Sequence, residues 1–283
     1  YTGEDTLSLH DALPIWHKSS QQDIKGRTMK KFQVLGLIAA SIMTTATFAA
    51  EFSFDRPGSG IGTGITPVGH LAWEQGLPSV SYQEGTVDGV KDKTLTLNGD
   101  MLLRTGLADG LELQLGWQGP VWQQYKHAGT KKETNGLGDV SIGLKKAINL
   151  KDDRLTMALL AEAIIATGND EFTNQDDIYS LTSAVAYKFS DLVGTSITMR
   201  YEAQNSDWAV TAIPTIDYKI AGKLSGFSEF VYRKAESQDY EYGLGTGLVY
   251  SLNDRAQLDA SIGVDLNGDQ KSYNGGLGLS VLF

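Results

Sequence analysis

The chain has 283 residues, a formal net charge of −10 and no cysteine. The acidic balance argues against a nucleic-acid partner, which wants a basic footprint, and the lack of thiols excludes disulfides, thiolate metal sites and cysteine nucleophiles. Beyond residue 50 no run approaches the ~20 apolar residues that a membrane helix needs.

Residues 1–28 precede a credible start, Met29, and read as translated sequencing-adaptor sequence, an artefactual leader outside the fold. Met29-Lys30-Lys31 then opens a short apolar run to Met43, followed by small residues up to Ala49 and Ala50. A basic start, a short apolar core and small residues at its end describe a secretory signal peptide over 29–50, too short for a membrane anchor. Residues 51–69 hold Gly58, Gly60, Gly62, Gly64 and Gly69 with Pro57 and Pro67, and no strand is expected there.

From residue 70 to 283 the chain alternates in steps of two. At the C-terminus Tyr273, Gly275, Leu277, Leu279, Val281 and Phe283 share one face, and Ser272, Asn274, Gly276, Gly278 and Ser280 the other. This period is that of a strand. Twelve such segments are expected, near 70–82, 93–105, 110–119, 138–148, 154–166, 177–189, 193–204, 207–219, 224–235, 239–251, 255–265 and 272–283. Tight polar turns near 109, 152, 190, 221 and 253 alternate with mostly longer loops at 83–92, 120–137, 167–176 and 266–271. Short turns on one side and long loops on the other predict an all-β fold: a transmembrane, antiparallel, up-and-down β-barrel with both ends on the periplasmic side.

Alternation alone does not separate a membrane barrel from a soluble one. The signal peptide, the aromatic placement and the last residue favour the bacterial outer membrane. Tyr179 and Tyr187, Trp208 and Tyr218, Tyr242 and Tyr250, and Tyr273 and Phe283 cap the apolar faces of single strands. Their spacings span roughly 19–23 Å at ~3.3 Å per residue and ~45° tilt, close to the ~25 Å apolar band between aromatic girdles. Phe283, ending an alternating strand, resembles the signal read by the barrel assembly machinery. Arg104, Glu112, Asp139, Glu162, Arg200, Asp217, Glu229, Arg233 and Asp259 fall on the polar faces and are candidates for lumen or selectivity groups. Inward positions such as Gln114, Ser141, Ser261 and Ser280 should accept charge, whereas Leu113, Leu144, Leu258 and Leu279 should not. Residues 51–69 could enter the lumen as a partial plug, with Asp55 and Arg56 pairing to wall charges such as Arg200 or Glu229.

The stretches Asp55-Arg56-Pro57, residues 67–74 (PVGHLAWE), 102–113 (LLRTGLADGLEL) and 136–145 (GLGDVSIGLK) resemble, in order and spacing, the outer-membrane protein family of the MetA pathway of phenol degradation. The glycine-rich stretch from Pro57 to Gly64 departs from that pattern. The resemblance implies an outer-membrane channel or transporter, not an enzyme, passing small apolar or aromatic molecules, with outer-membrane lipid around it. The family is also similar to the exporter of functional amyloid, which assembles as trimers. A homotrimer and a protein-secretion pore therefore stay open as alternatives. A lipid-modifying barrel enzyme is a weaker alternative, because His70 and His127 are the only histidines past residue 50 and neither has an orienting carboxylate at strand spacing. No residue pattern calls for a metal or a cofactor.

Overall fold

A computed structural model describes residues 52–87, 89–267 and 271–283, so the expected leader and signal peptide lie outside the described residues. Its strands are β1 (Leu71–Val87), β2 (Val90–Asn98), β3 (Met101–Ala108), β4 (Leu111–Trp117), β5 (Pro120–His127), β6 (Thr130–Leu137), β7 (Val140–Ile148) and β8 (Leu155–Ile165). They continue with β9 (Ile178–Lys188), β10 (Val193–Gln204), β11 (Asp207–Ala221), β12 (Leu224–Ala235), β13 (Glu241–Asn253), β14 (Ala256–Asp265) and β15 (Lys271–Leu282). Three pairs, β2 with β3, β4 with β5 and β6 with β7, are single staves interrupted at 99–100, 118–119 and 138–139. The result is a closed antiparallel barrel of twelve staves. β1 and β15 close it, from Ala72 opposite Leu282 to Glu84 opposite Lys271.

The two faces of the wall differ as an outer-membrane barrel requires. Leu115, Ile142, Ile197, Ile216, Leu244, Leu258, Ile262 and Leu277 point out and are exposed, while Glu74, Arg104, Glu112, Lys145, Thr198 and Asp259 point in and are buried. A water-soluble protein distributes these residue types the other way. Apolar side chains facing hydrocarbon and polar ones facing a lumen place the barrel in the bacterial outer membrane.

The expected loops at 83–92 and 120–137 are corrected by the structure. β1 runs on to Val87 and turns into β2, and β5 and β6 form a hairpin through Ala128 and Gly129, both at positive φ. The outer ends of these strands stand above the membrane, where neither face meets lipid, so residues 83–92 and 123–136 lack the apolar alternation that marks a spanning strand. The 17 residues of β1 rise about 40 Å at ~3.3 Å per residue and ~45° tilt, well beyond the ~25 Å apolar band. The upper part of β1 with β2, β5 and β6 thus makes a blade that rises above the membrane on the extracellular side. β6 is its outer edge, blunted by Lys131, Lys132 and Glu133. The connection from β10 to β11 at 205–206 is also tight, although it lies on the extracellular side.

Candidate functional site

Residues 53–66 make a circuit around the inside of the barrel, visiting wall groups in turn. The Ser53 carbonyl accepts from Arg104 Nη1 at 2.8 Å. The backbone N–H groups of Asp55 and Arg56 donate to the Glu74 carboxylate at 3.1 and 2.7 Å. Arg56 then reaches Asp100 at 2.8 Å and Asp259 at 3.2 Å. The Ser59 hydroxyl donates to Glu229 at 2.7 Å, and its backbone N–H contacts both oxygens of that carboxylate at 3.1 Å. The Ile61 N–H donates to Thr198 Oγ1 at 3.2 Å, and the hydroxyls of Thr63 and Thr156 lie 2.7 Å apart. The Thr66 N–H closes the path on Glu112 at 2.6 Å. In wall terms the chain passes from β3 and β1 to β14, β12, β10 and β8, and returns to β4.

Arg104 joins the two ends of this circuit. Its Nη1 holds the Ser53 carbonyl, its Nη2 holds the Gly64 carbonyl at 3.0 Å, and it pairs with Glu74 and Glu112, each at 2.9 Å. Arg104, Glu74 and Glu112 are fully enclosed, so each charge depends on these partners. Lys145 adds an ion pair to Asp55 at 2.8 Å, and the same Asp55 oxygen accepts from the Gly62 N–H at 2.9 Å, crossing the ring. Two glycines permit the path. A Cβ on Gly60 would come within 2.8 Å of Thr198 Oγ1, and one on Gly106 would strike the Thr66 and Pro67 carbonyls where the chain leaves the lumen toward β1.

A cavity of about 780 Å³ lies below the segment, reaching the periplasmic turns through Leu192, Lys223 and Asp254. A second of about 380 Å³ lies above it, lined by Ser79, Asn98, Asp100, Ser261 and Asn274. Phe227 and Ile213, both inward and buried, form an apolar strip against Gly58 and Gly60.

The sequence-predicted residues are distributed unevenly about this ring. Arg104, Glu112, Glu229 and Asp259 touch it directly. Arg200 donates to the Ser59 carbonyl at 3.2 Å, and Asp217 lines the lower cavity. Asp55 and Arg56 lie in the lumen, but Asp55 pairs with Lys145 and, at 3.7 Å, with Arg104, and Arg56 pairs with Asp100 and Asp259; Glu229 and Arg200 hold Ser59 instead. Glu162 shares the inward face of β8 with Thr156, above the ring. Arg233 meets Glu241 at 3.2 Å near the mouth. Asp139 is elsewhere: at the β6–β7 kink it accepts from the N–H groups of Thr167, Gly168 and Asn174 and from Asn174 Nδ2, pinning the 166–177 loop. Gln114 bonds to Asp55 and Ser280 is fully buried, so neither has room for a new charge, contrary to the expectation for inward positions. Glu74 was not singled out, although it sits inward on β1; Pro78 interrupts the alternation that would have revealed it. Among the described residues no group of His, Asp and Glu could hold a metal ion.

Solved structures with the same fold include an outer membrane channel from Pseudomonas putida F1, with TM-score 0.56 and 14% identity over 81% of this chain and 99% of that one. The translocator domain of the autotransporter NalP from Neisseria meningitidis superposes with TM-score 0.51 and 9% identity over 89% of this chain and 95% of that one. At such identities the likeness is one of fold. No curated protein matches the chain. The model of the family described as "Putative MetA-pathway of phenol degradation" matches residues 54–283, so the chain belongs to that family.

Proposed function

We propose that the protein is a passive outer-membrane channel for small apolar or aromatic molecules, with residues 52–66 as a partial plug held by Asp55 and Arg56. The observation that carries this reading is the divided lumen. Spaces of about 780 and 380 Å³ on either side of a hydrogen-bonded ring suit a small solute and leave no room for a polypeptide. The family description ties its members to phenol degradation, which supports an aromatic solute. The buried Arg104 clamp counts against the secretion-pore alternative, because a passing chain would have to expel the ring. Phe283 supports assembly through the barrel machinery: it ends β15 at the closing seam, exchanging backbone hydrogen bonds with Leu71 at 2.8 and 3.3 Å while its ring is exposed outward.

Deleting 52–66 downstream of an intact signal peptide should raise single-channel conductance in planar bilayers. Unchanged conductance in a folded deletion would remove the plug. Cells expressing the wild-type chain should take up a monoaromatic solute faster than cells lacking it, and equal rates would remove the channel assignment.

A further inference from the structure

The outer face of the extracellular blade carries a charge pattern that the lumen does not use. Strand pairing sets its side chains in rows. Lys271, Glu84, Lys93, Lys126 and Lys131 stand opposite one another in turn on β15, β1, β2, β5 and β6. The next row toward the barrel, on the same face, is Tyr273, Tyr82, Leu95, Gln124 and Glu133. The row below begins Gly275, Val80, Leu97 and Trp122. There an apolar concavity of about 620 Å³ opens between Pro78, Leu97, Pro120, Trp122 and Leu137.

Moving outward, this surface is therefore apolar, then aromatic, then cationic. Successive same-face rows are ~6.6 Å apart along a strand, about 5 Å along the membrane normal at ~45° tilt. The lysines thus stand one step beyond the aromatic level, at the height of lipid headgroups. Like charges directly opposite each other across a ladder are unfavourable. Lys93, Lys126 and Lys131 form such a run; Glu84 pairs with Lys93 and, further out, Lys91, at 3.3 and 3.2 Å, and Glu133 pairs with Lys131 at 2.5 Å, so two carboxylates face these four lysines. Edge protection accounts for Lys131 on β6 but not for Lys93 and Lys126 on interior strands. Nor is the pattern general to the rim: the other extracellular connections bring Asp170, Glu171, Asp176, Asp177, Glu236 and Asp239.

We infer that this face binds a phosphorylated glycolipid of the outer leaflet, with Lys93, Lys126 and Lys131 on its phosphates and its acyl chains against Val80, Leu97 and Trp122. Charge complementarity selects the occupant, since a cationic row on an acidic protein matches phosphates held at one height above hydrocarbon. The test uses the full-length protein in non-ionic detergent, titrated with deep-rough lipopolysaccharide. Replacing the three lysines together (K93Q, K126Q and K131Q) should weaken binding at least ten-fold. Removing three periplasmic cations (K151Q, R154Q and K223Q) should leave it unchanged. The same glycolipid stripped of its phosphates should bind wild type at least ten-fold more weakly. Wild-type affinity in the blade variant, an equal loss in the periplasmic variant, equal binding of the dephosphorylated lipid, or full displacement by inorganic phosphate at matched concentration would each overturn the proposal.

Discussion

Arg104→Ala should open the lumen and destabilise the barrel at once. The guanidinium holds the Ser53 and Gly64 carbonyls at 2.8 and 3.0 Å, the two ends of the ring, and pairs with two enclosed carboxylates at 2.9 Å. Hydrogen bonds to a charged group are worth ~1.5–3 kcal/mol each, so losing the two carbonyl bonds removes at least ~3 kcal/mol from ring closure. At ~1.4 kcal/mol per decade, the open fraction should rise on the order of 100-fold. Leaving Glu74 and Glu112 enclosed without their cation costs the wall a further ~3–5 kcal/mol. Planar-bilayer recording reads the first effect as frequent openings at the conductance of the 52–66 deletion. The unfolding midpoint in detergent reads the second. Combining Arg104→Ala with the deletion should add no conductance, because the ring is already gone. A folded Arg104→Ala protein with wild-type conductance and no added openings would refute the clamp.

Two further outcomes test the wall itself. Ile262 and Ser261 are neighbours on opposite faces of β14, and Ile262 lies opposite Thr246, midway between Tyr242 and Tyr250. Ile262→Arg should cost ~2–4 kcal/mol of barrel stability, whereas Ser261→Arg, beside the upper cavity, should cost far less; equal losses by denaturant titration would invalidate the assigned faces. Deleting Phe283 or replacing it with Asp should lower the yield of heat-modifiable barrel in the outer-membrane fraction, and normal yield from both would remove it as an assembly signal.

The twelve staves were legible because lipid on one side and a polar lumen on the other write a period of two into every spanning stretch. The blade was not. In β6, Thr-Lys-Lys-Glu-Thr-Asn has no apolar face, because water lies on both sides above the membrane, and a strand of that kind reads as loop. Asp139 looked like a lumen charge because it continues the alternation of β7, but it falls in the 138–139 kink, where the backbone turns it toward the loop.

The ring posed a different difficulty. Asp55 and Arg56, charged residues set before a glycine-rich run, were visible as candidates, but their partners depend on which wall positions share a height. That is set by strand tilt and by the accumulated register of the staves between β1 and β14. Local pattern carries no information about it. It does indicate which wall residues can serve once the chain is inside: charges placed on inward faces at or below the middle of their staves. Arg104, Glu112, Lys145 and Asp259 lie low on their staves and Glu229 at the middle of β12; all meet that rule, and all bond to the ring. Glu162 sits higher on its strand and does not touch it. Height along the strand, combined with face, is therefore what separates the ring's anchors from the charges that line the open part of the lumen.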